Sequence, residues 1–115
     1  MTLQQQEEQF NEFVLKMRIT LFSKGNDYAN EDRLSNFKLA GNITGIGPEL
    51  NALNLIATKV ARLGSLLNSN KIPNNESISD SLLDLANYAV LLNMIINEET
   101  NQQINKSTNK QINNK

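Results

Sequence analysis

The sequence predicts an all-α protein, a small bundle of three main helices with a short helix in the connection between the first two. Three segments repeat apolar residues at spacings of three and four, the period of an amphipathic helix. At 115 residues the chain is long enough for one core and too short for two. We therefore expect one domain over residues 1–98, completed by oligomerisation. A polar Asn/Gln/Lys-rich tail over residues 99–115 is expected to be a frayed helix or disordered.

The first helix is predicted over about residues 3–23, and it carries two apolar stripes. Gly25 and Asn26 suit a left-handed turn that would end it. Because one neighbouring helix covers one stripe, two stripes predict two partners, within the subunit or across a dimer. The first stripe contains Leu3, Phe10, Phe13, Val14, Met17 and Leu21, and the second contains Leu15, Ile19 and Phe22.

The connection over residues 23–47 is long for so small a domain, and loops of this length are usually functional or locally folded. Within it, "NEDRLSNFKLA" (30–40) predicts a short helix with Asn30 as its cap. "GNITGIG" (41–47) lacks the Lys-Ser/Thr ending of a phosphate-binding loop, so it predicts a flexible connection. The short helix is expected to dock on the core through Leu34, Phe37, and Leu39 or Ala40.

Two longer helices complete the predicted bundle. Pro48 suits the first turn of the second main helix and Glu49 complements its dipole, and that helix runs to about Asn68. The third is predicted over about residues 77–97 and is apolar nearly all round, which indicates burial. Polar residues of the second main helix form a stripe made of Asn51, Asn54, Thr58, Arg62, Ser65 and Ser69.

Composition restricts the chemistry that the chain can perform. Eleven basic and twelve acidic residues give a net charge of −1, so we expect no general attraction to nucleic acid or anionic membranes. The chain has no cysteine and no histidine, which excludes disulfides, thiolate zinc sites, a cysteine nucleophile and a histidine base. Carboxylates, lysines, arginines and hydroxyls remain.

The amino-terminal segment does not resemble a secretory signal. "MTLQQQEEQF" is acidic and Gln-rich, and no run in the chain approaches the roughly 20 apolar residues of a membrane span. We therefore expect a soluble cytoplasmic protein with no membrane partner.

A row of polar residues stands out on the apolar third helix. Glu76, Asp80 and Asp84 recur every fourth residue, and Asn87 continues the row one turn later, so all four share one face. Neighbouring carboxylates repel each other and lose solvation beside apolar side chains. A positive group is therefore expected opposite them, although Glu76 also suits simple complementation of the helix dipole.

Two kinds of positive partner fit this row. A divalent cation such as Mg²⁺ prefers hard oxygen ligands, and Lys59 and Arg62 stand one turn apart on the second main helix. Because three acids outnumber these two cations, we expect a metal ion at the row, with an ion pair as the alternative. For Lys59 and Arg62 themselves, a phosphate contact and an ordinary salt bridge remain equally open.

The motif "KGNDYA" (24–29) predicts half of a nucleotide site. Lys24 would lie at phosphate, Asp27 at metal and Tyr28 at a base or sugar, although the same residues also make ordinary turn contacts. Phe37 and Tyr88 are expected to serve the core rather than to stack on a base.

Four motifs in a fixed order resemble the nucleotide-modification-associated domain family, first type, of phages and bacteria. The resemblance spans most of residues 10–97, and it implies an all-helical fold and a link to nucleotides. The motifs are "KGNDYA" (24–29), "NF" (36–37), "KVARL" (59–63) and "ESISDSLLDLANYA" (76–89).

The chain is more distantly similar to the all-helical pyrophosphohydrolases of the MazG and dimeric dUTPase type. Those enzymes hold magnesium with acids on two facing helices. Where they have an acidic pair on the second helix, this chain offers only Glu49, followed by Lys59 and Arg62.

Together with these patterns, the two resemblances imply a nucleotide-binding protein of phage or bacterial nucleotide metabolism, in the host cytoplasm if it is phage-encoded, with Mg²⁺-dependent nucleoside triphosphate pyrophosphohydrolysis as its candidate reaction. Two alternatives remain: a non-catalytic phage protein that sequesters a nucleotide signal, and a helical protein–protein interaction module. The candidate catalytic acids are Asp80 and Asp84, the candidate metal ligands are Glu76, Asp80, Asp84 and Asp27, and the candidate ligand-binding residues are Lys24, Asp27, Tyr28, Asn36, Lys59, Arg62 and Asn87.

Overall fold

The computed structural model describes residues 1–26, 32–69 and 75–113, with side chains described except at 24–26, 75–76 and 107–113. Within these ranges the chain forms helices and no strand, which confirms the all-α class. None of the helices in these ranges combines the length and apolarity needed to cross a membrane. The helices are α1 (Leu3–Asn26), α2 (Ser35–Thr44), α3 (Gly47–Leu67) and α4 (Asn75–Asn113).

Three predicted boundaries differ from the structure. α1 continues through Gly25 to Asn26, where a left-handed turn was predicted. α2 begins later than predicted and takes in the first four residues of "GNITGIG", so the prediction of a flexible connection there is wrong. α4 continues past residue 97 to Asn113, because adding polar residues to an existing helix avoids the cost of nucleating a new one.

α2 and α3 are joined by a tight turn that depends on glycine. Gly45 has φ 76°, and its N–H donates to the carbonyl of Gly41 at 2.9 Å, which closes α2. Gly47 has φ 83° and begins α3. A Cβ atom at the buried Gly41 would lie 2.6 Å from both the carbonyl carbon of Gly47 and the nitrogen of Pro48, so α2 approaches the start of α3 backbone to backbone.

The core is small and lies where α2, α3 and α4 meet. α3 packs against both α2 and α4, whereas α1 contacts α4. The buried apolar residues at the centre are Leu34, Ala52 and Ile95, and Ala52 is 0% exposed. Phe37 packs against this cluster, so the predicted docking of Leu34 and Phe37 is confirmed, whereas Leu39 is exposed.

The protomer is open and elongated. Its radius of gyration is 18.5 Å and its principal extents are 66 × 37 × 26 Å, whereas a compact domain of this length has a radius of gyration of about 13 Å. The 39 residues of α4 alone span about 58 Å at 1.5 Å per residue. Many large apolar side chains therefore stay exposed, including Leu15, Ile19 and Phe22 on α1.

A cluster of three charged side chains ties the start of α2 to α4. The Lys38 ammonium lies 2.5 Å from Oδ2 of Asp32 and 2.6 Å from Oε1 of Glu98. Oδ1 of Asp32 accepts from the backbone N–H of Leu34 at 3.0 Å. The hydrogen bond from Lys38, followed by that from Leu34, lowers the pKa of Asp32. Hydrogen bonds to Asp32 and Glu98 raise the pKa of Lys38.

Gly41→Ala is expected to destabilise the fold by about 1–3 kcal/mol, because the added methyl group meets backbone atoms that cannot rotate away. Gly64→Ala is the matched control within α3. A Cβ atom there meets nothing within 4 Å, so this change should stabilise the protein by about 0.5–1 kcal/mol through helix propensity. Urea unfolding of both variants measures the two free energies. Equal effects would contradict the close approach of α2 and α3.

Lys38→Met is expected to lower the free energy of unfolding at neutral pH by at most about 1 kcal/mol, since the side chains of Lys38 and Asp32 are about 40% exposed and solvent screens the pair. The pKa of Asp32 is lowered from 3.8, so its contribution is present above pH 3.8 and is lost as the pH falls through the folded-state pKa. The pKa of Lys38 is raised from 10.5, so its contribution is present below pH 10.5 and is lost as the pH rises through the folded-state pKa. Melting temperatures of both proteins should therefore converge at either extreme. A constant difference from pH 2 to pH 12 would show that Lys38 acts through packing.

Candidate functional site

A cavity of about 1050 Å³ lies among the four helices, at the upper end of the sizes typical of small-molecule sites. α1 supplies Thr20, Leu21 and Phe22 to its wall, and the guanidinium of Arg18 lies 5.5 Å from the ring centroid of Phe22. The rest of the wall includes aromatic and carboxamide side chains beside aliphatic and charged ones. The aromatic and carboxamide residues there are Phe37, Tyr88, Asn36, Asn51, Asn54 and Asn87.

The most unusual side chain in this wall is Asn87. It is 6% exposed, and neither its Nδ2 nor its Oδ1 atom has a hydrogen-bond partner among the residues that the structure describes. Nδ2 of Asn51, across the cavity wall on α3, is also buried without a partner. Buried polar atoms are nearly always paired, and leaving one unpaired costs about 1–3 kcal/mol. The protein thus maintains unsatisfied hydrogen-bonding groups at this cavity.

Of the acids in the predicted row whose side chains are described, Asp84 lines the cavity, and it forms an ion pair. Its Oδ2 atom lies 3.0 Å from the Lys59 ammonium, with the two side chains 22% and 25% exposed. The pair connects α4 to α3. Of the two partners that the sequence left open for Asp84, the structure therefore shows the lysine.

The remaining predicted residues lie in different places. Asn36 lines the cavity, as predicted for a ligand-binding residue. Asp80 and Arg62 are exposed on α4 and α3, and neither belongs to the cavity wall. The side chains of Glu76 and Lys24 lie outside the described part of the structure. Asp27 and Tyr28 lie outside the described residues altogether.

The predicted magnesium site is not assembled by the described residues alone. No group of three acids close enough to hold a metal ion occurs among them. Asp84 forms an ion pair with Lys59, and Asp80 is exposed and does not line the cavity. A complete ligand set would need Asp27 or Glu76, whose side chains the described ranges do not include.

Several residues of the wall were not predicted to have a function. Asn51 and Asn54 belong to the polar stripe predicted on the second main helix. The sequence alone does not show that this stripe faces the cavity. Arg33, exposed at the cavity, precedes α2 and carried no sequence signal. Asp32 and Glu98 also line the cavity, and both bind Lys38.

No protein-family model, curated protein or solved structure matches this chain. The resemblance to the nucleotide-modification-associated domain family therefore stays a prediction from the quoted motifs.

Asp84→Asn is expected to lower the free energy of unfolding by about 1–3 kcal/mol, because it leaves the half-buried Lys59 ammonium beside a neutral amide. Asp80→Asn on the same helix is the control, and as a change at an exposed residue it should stay within about 0.5 kcal/mol of wild type. Urea unfolding with and without Mg²⁺ measures both effects. If Asp84→Asn instead raised stability and abolished a stabilising effect of Mg²⁺, the ion pair would be secondary to a metal site.

Proposed function

We propose that this chain binds a nucleotide or a nucleotide-derived small molecule in the cavity among its four helices. The observation that carries this proposal is the buried carboxamide of Asn87, unpaired at a cavity that also contains the rings of Phe37 and Tyr88. Carboxamides form paired hydrogen bonds with base edges, and bases stack on aromatic rings. Phe37 also packs on the core, so its ring can both support the core and stack on a base.

A phosphate group would find a cation at the exposed end of the same wall. Arg33 is exposed and lines the cavity, and a guanidinium suits the bidentate recognition of phosphate oxygens. The residues of the motifs that resemble the nucleotide-modification-associated family also support a site here, because Asn36, Asp84 and Asn87 line one cavity.

Binding is better supported than turnover. The more distant similarity to the MazG and dimeric dUTPase type suggests Mg²⁺-dependent pyrophosphohydrolysis, for which Asp80 and Asp84 are the predicted catalytic acids. However, Asp84 is paired with Lys59 and Asp80 lies outside the cavity wall, so we derive no reaction step from these acids. A protein that binds without turnover would act by sequestering its ligand, for example a nucleotide signal in a phage-infected cell.

We also propose that the protein is a homo-oligomer. Its accessible surface is 8937 Å², whereas a compact monomer of 12.9 kDa exposes about 6300 Å². The excess of about 2600 Å² is comparable to what one subunit buries in a large obligate interface. Leu15, Ile19 and Phe22 form the second stripe of α1, and all three are exposed in the protomer. A second copy of the chain presents the same apolar surface and can bury it.

The proposed binding predicts that nucleotides raise the melting temperature. A ligand at 100 times its dissociation constant stabilises a protein by about 2.7 kcal/mol, which is readily detected. The assay is a thermal-shift panel of nucleosides, nucleoside mono- and triphosphates and cyclic dinucleotides, each with and without Mg²⁺, followed by product analysis of every hit. Hydrolysis would identify an enzyme, and binding without products would identify a sequestering protein. No shift with any compound would refute nucleotide binding and favour a protein–protein interaction module.

The proposed self-association predicts a mass of at least twice 12.9 kDa by light scattering at tens of micromolar. Ile19→Lys places a charge in the exposed apolar stripe of α1 and should shift the protein toward monomer. Gln9→Lys is the control, since it adds the same charge at an exposed position about 80° from Ile19, in the polar gap between the two apolar stripes of α1. A wild-type monomer, or equal dissociation by both variants, would contradict an interface on this stripe.

A further inference from the structure

We infer that Asn87 and Asn51 together recognise a neutral edge of the ligand that presents hydrogen-bond acceptors beside a donor, as the rim of a nucleobase does. The inference rests on the proposed nucleotide binding. It assigns the inner wall of the cavity to the base rather than to the phosphates.

The unpaired atoms define what the ligand must offer. Asn87 leaves its NH₂ group and its carbonyl oxygen unsatisfied, and Asn51 leaves its NH₂ group. With one hydrogen bond to each of these groups, the complement on the ligand is two acceptors and one donor. Nucleobase edges carry acceptors and donors side by side. A phosphate or pyrophosphate offers acceptors only, so it would leave the Asn87 carbonyl oxygen facing another oxygen.

The charges at the cavity also favour a neutral group beside these amides. Lys38 binds Asp32 and Glu98, and Lys59 binds Asp84, so three acids already engage these two lysines and the set carries a net negative charge. A doubly charged phosphate moved into such a wall would lose its hydration without gaining a matched cation. A neutral ring avoids this cost.

Apolar side chains beside the amides are suited to the faces of a ring. Tyr88 adjoins Asn87 in the chain, and Phe37 and Leu91 line the same cavity while packing on or near the core. A planar ring placed against these side chains would bury its faces and keep its edge available to the two carboxamides.

Asn87→Leu tests the inference because leucine has nearly the same size and makes no hydrogen bonds. In the ligand-free protein the change removes two unsatisfied buried atoms, so the melting temperature should rise. Asn93→Leu is the control: Asn93 is exposed on the same helix outside the cavity wall, and both variants gain the same helix propensity. We expect Asn87→Leu to melt about 2 °C or more above Asn93→Leu.

Binding is measured in parallel by calorimetry with the four ribonucleoside triphosphates, and with ribose 5-phosphate and pyrophosphate as probes without a base. At least one triphosphate should bind wild type more tightly than either baseless probe. Its affinity should fall about tenfold or more in Asn87→Leu and stay unchanged in Asn93→Leu.

Each contrary result has its own meaning. Triphosphate binding that survives Asn87→Leu, or that baseless probes equal, would overturn the base-reading role and leave nucleotide binding standing. A lower melting temperature for Asn87→Leu than for Asn93→Leu would show that the amide is structural, and would also overturn it. Silence of wild type toward every triphosphate would overturn the base-reading role, and silence in the wider thermal-shift panel as well would overturn nucleotide binding itself.

Discussion

The packing of the helices in this protein depends on one glycine, Gly41. At Gly41 the backbone of α2 lies against the first residues of α3, at a distance that no Cβ atom would allow. This approach fixes α2 beside α3, so that Leu34 reaches Ala52 and Ile95 in the core. The same placement carries Lys38 to Glu98, 60 residues further along the chain. The cavity is the space that remains among these contacts and α1.

The periodicity of the sequence was sufficient to predict the helices, because a 3.6-residue repeat depends on local geometry alone. Periodicity is insufficient at "GNITGIG" (41–47), where the glycines suggest a flexible connection. Gly41 instead lies inside a helix because tertiary packing requires a close backbone approach there, and packing overrides the low intrinsic propensity of glycine.

The sequence predicts those residues of the site that lie together on one helix. Asp84 and Asn87 were recognised as polar residues on one face of an apolar helix, and both line the cavity. Their partners lie on other elements. One sequence cannot decide between Lys59 and a metal ion for Asp84, nor bring Asn51 to the cavity that Asn87 lines, because both depend on how α3 packs against α4. Lys38 joins residues 6 and 60 positions away, which no local pattern indicates.

Phe22 belongs both to the exposed stripe of α1 and to the wall of the cavity. A subunit that covers α1 would therefore touch the side chain that a bound ligand touches, and the two events would be thermodynamically linked. Linkage of this kind is reciprocal: a ligand that strengthens assembly is itself bound more tightly by the assembled form, by the same factor. The apparent dissociation constant would then change with protein concentration, and dilution alone would release ligand.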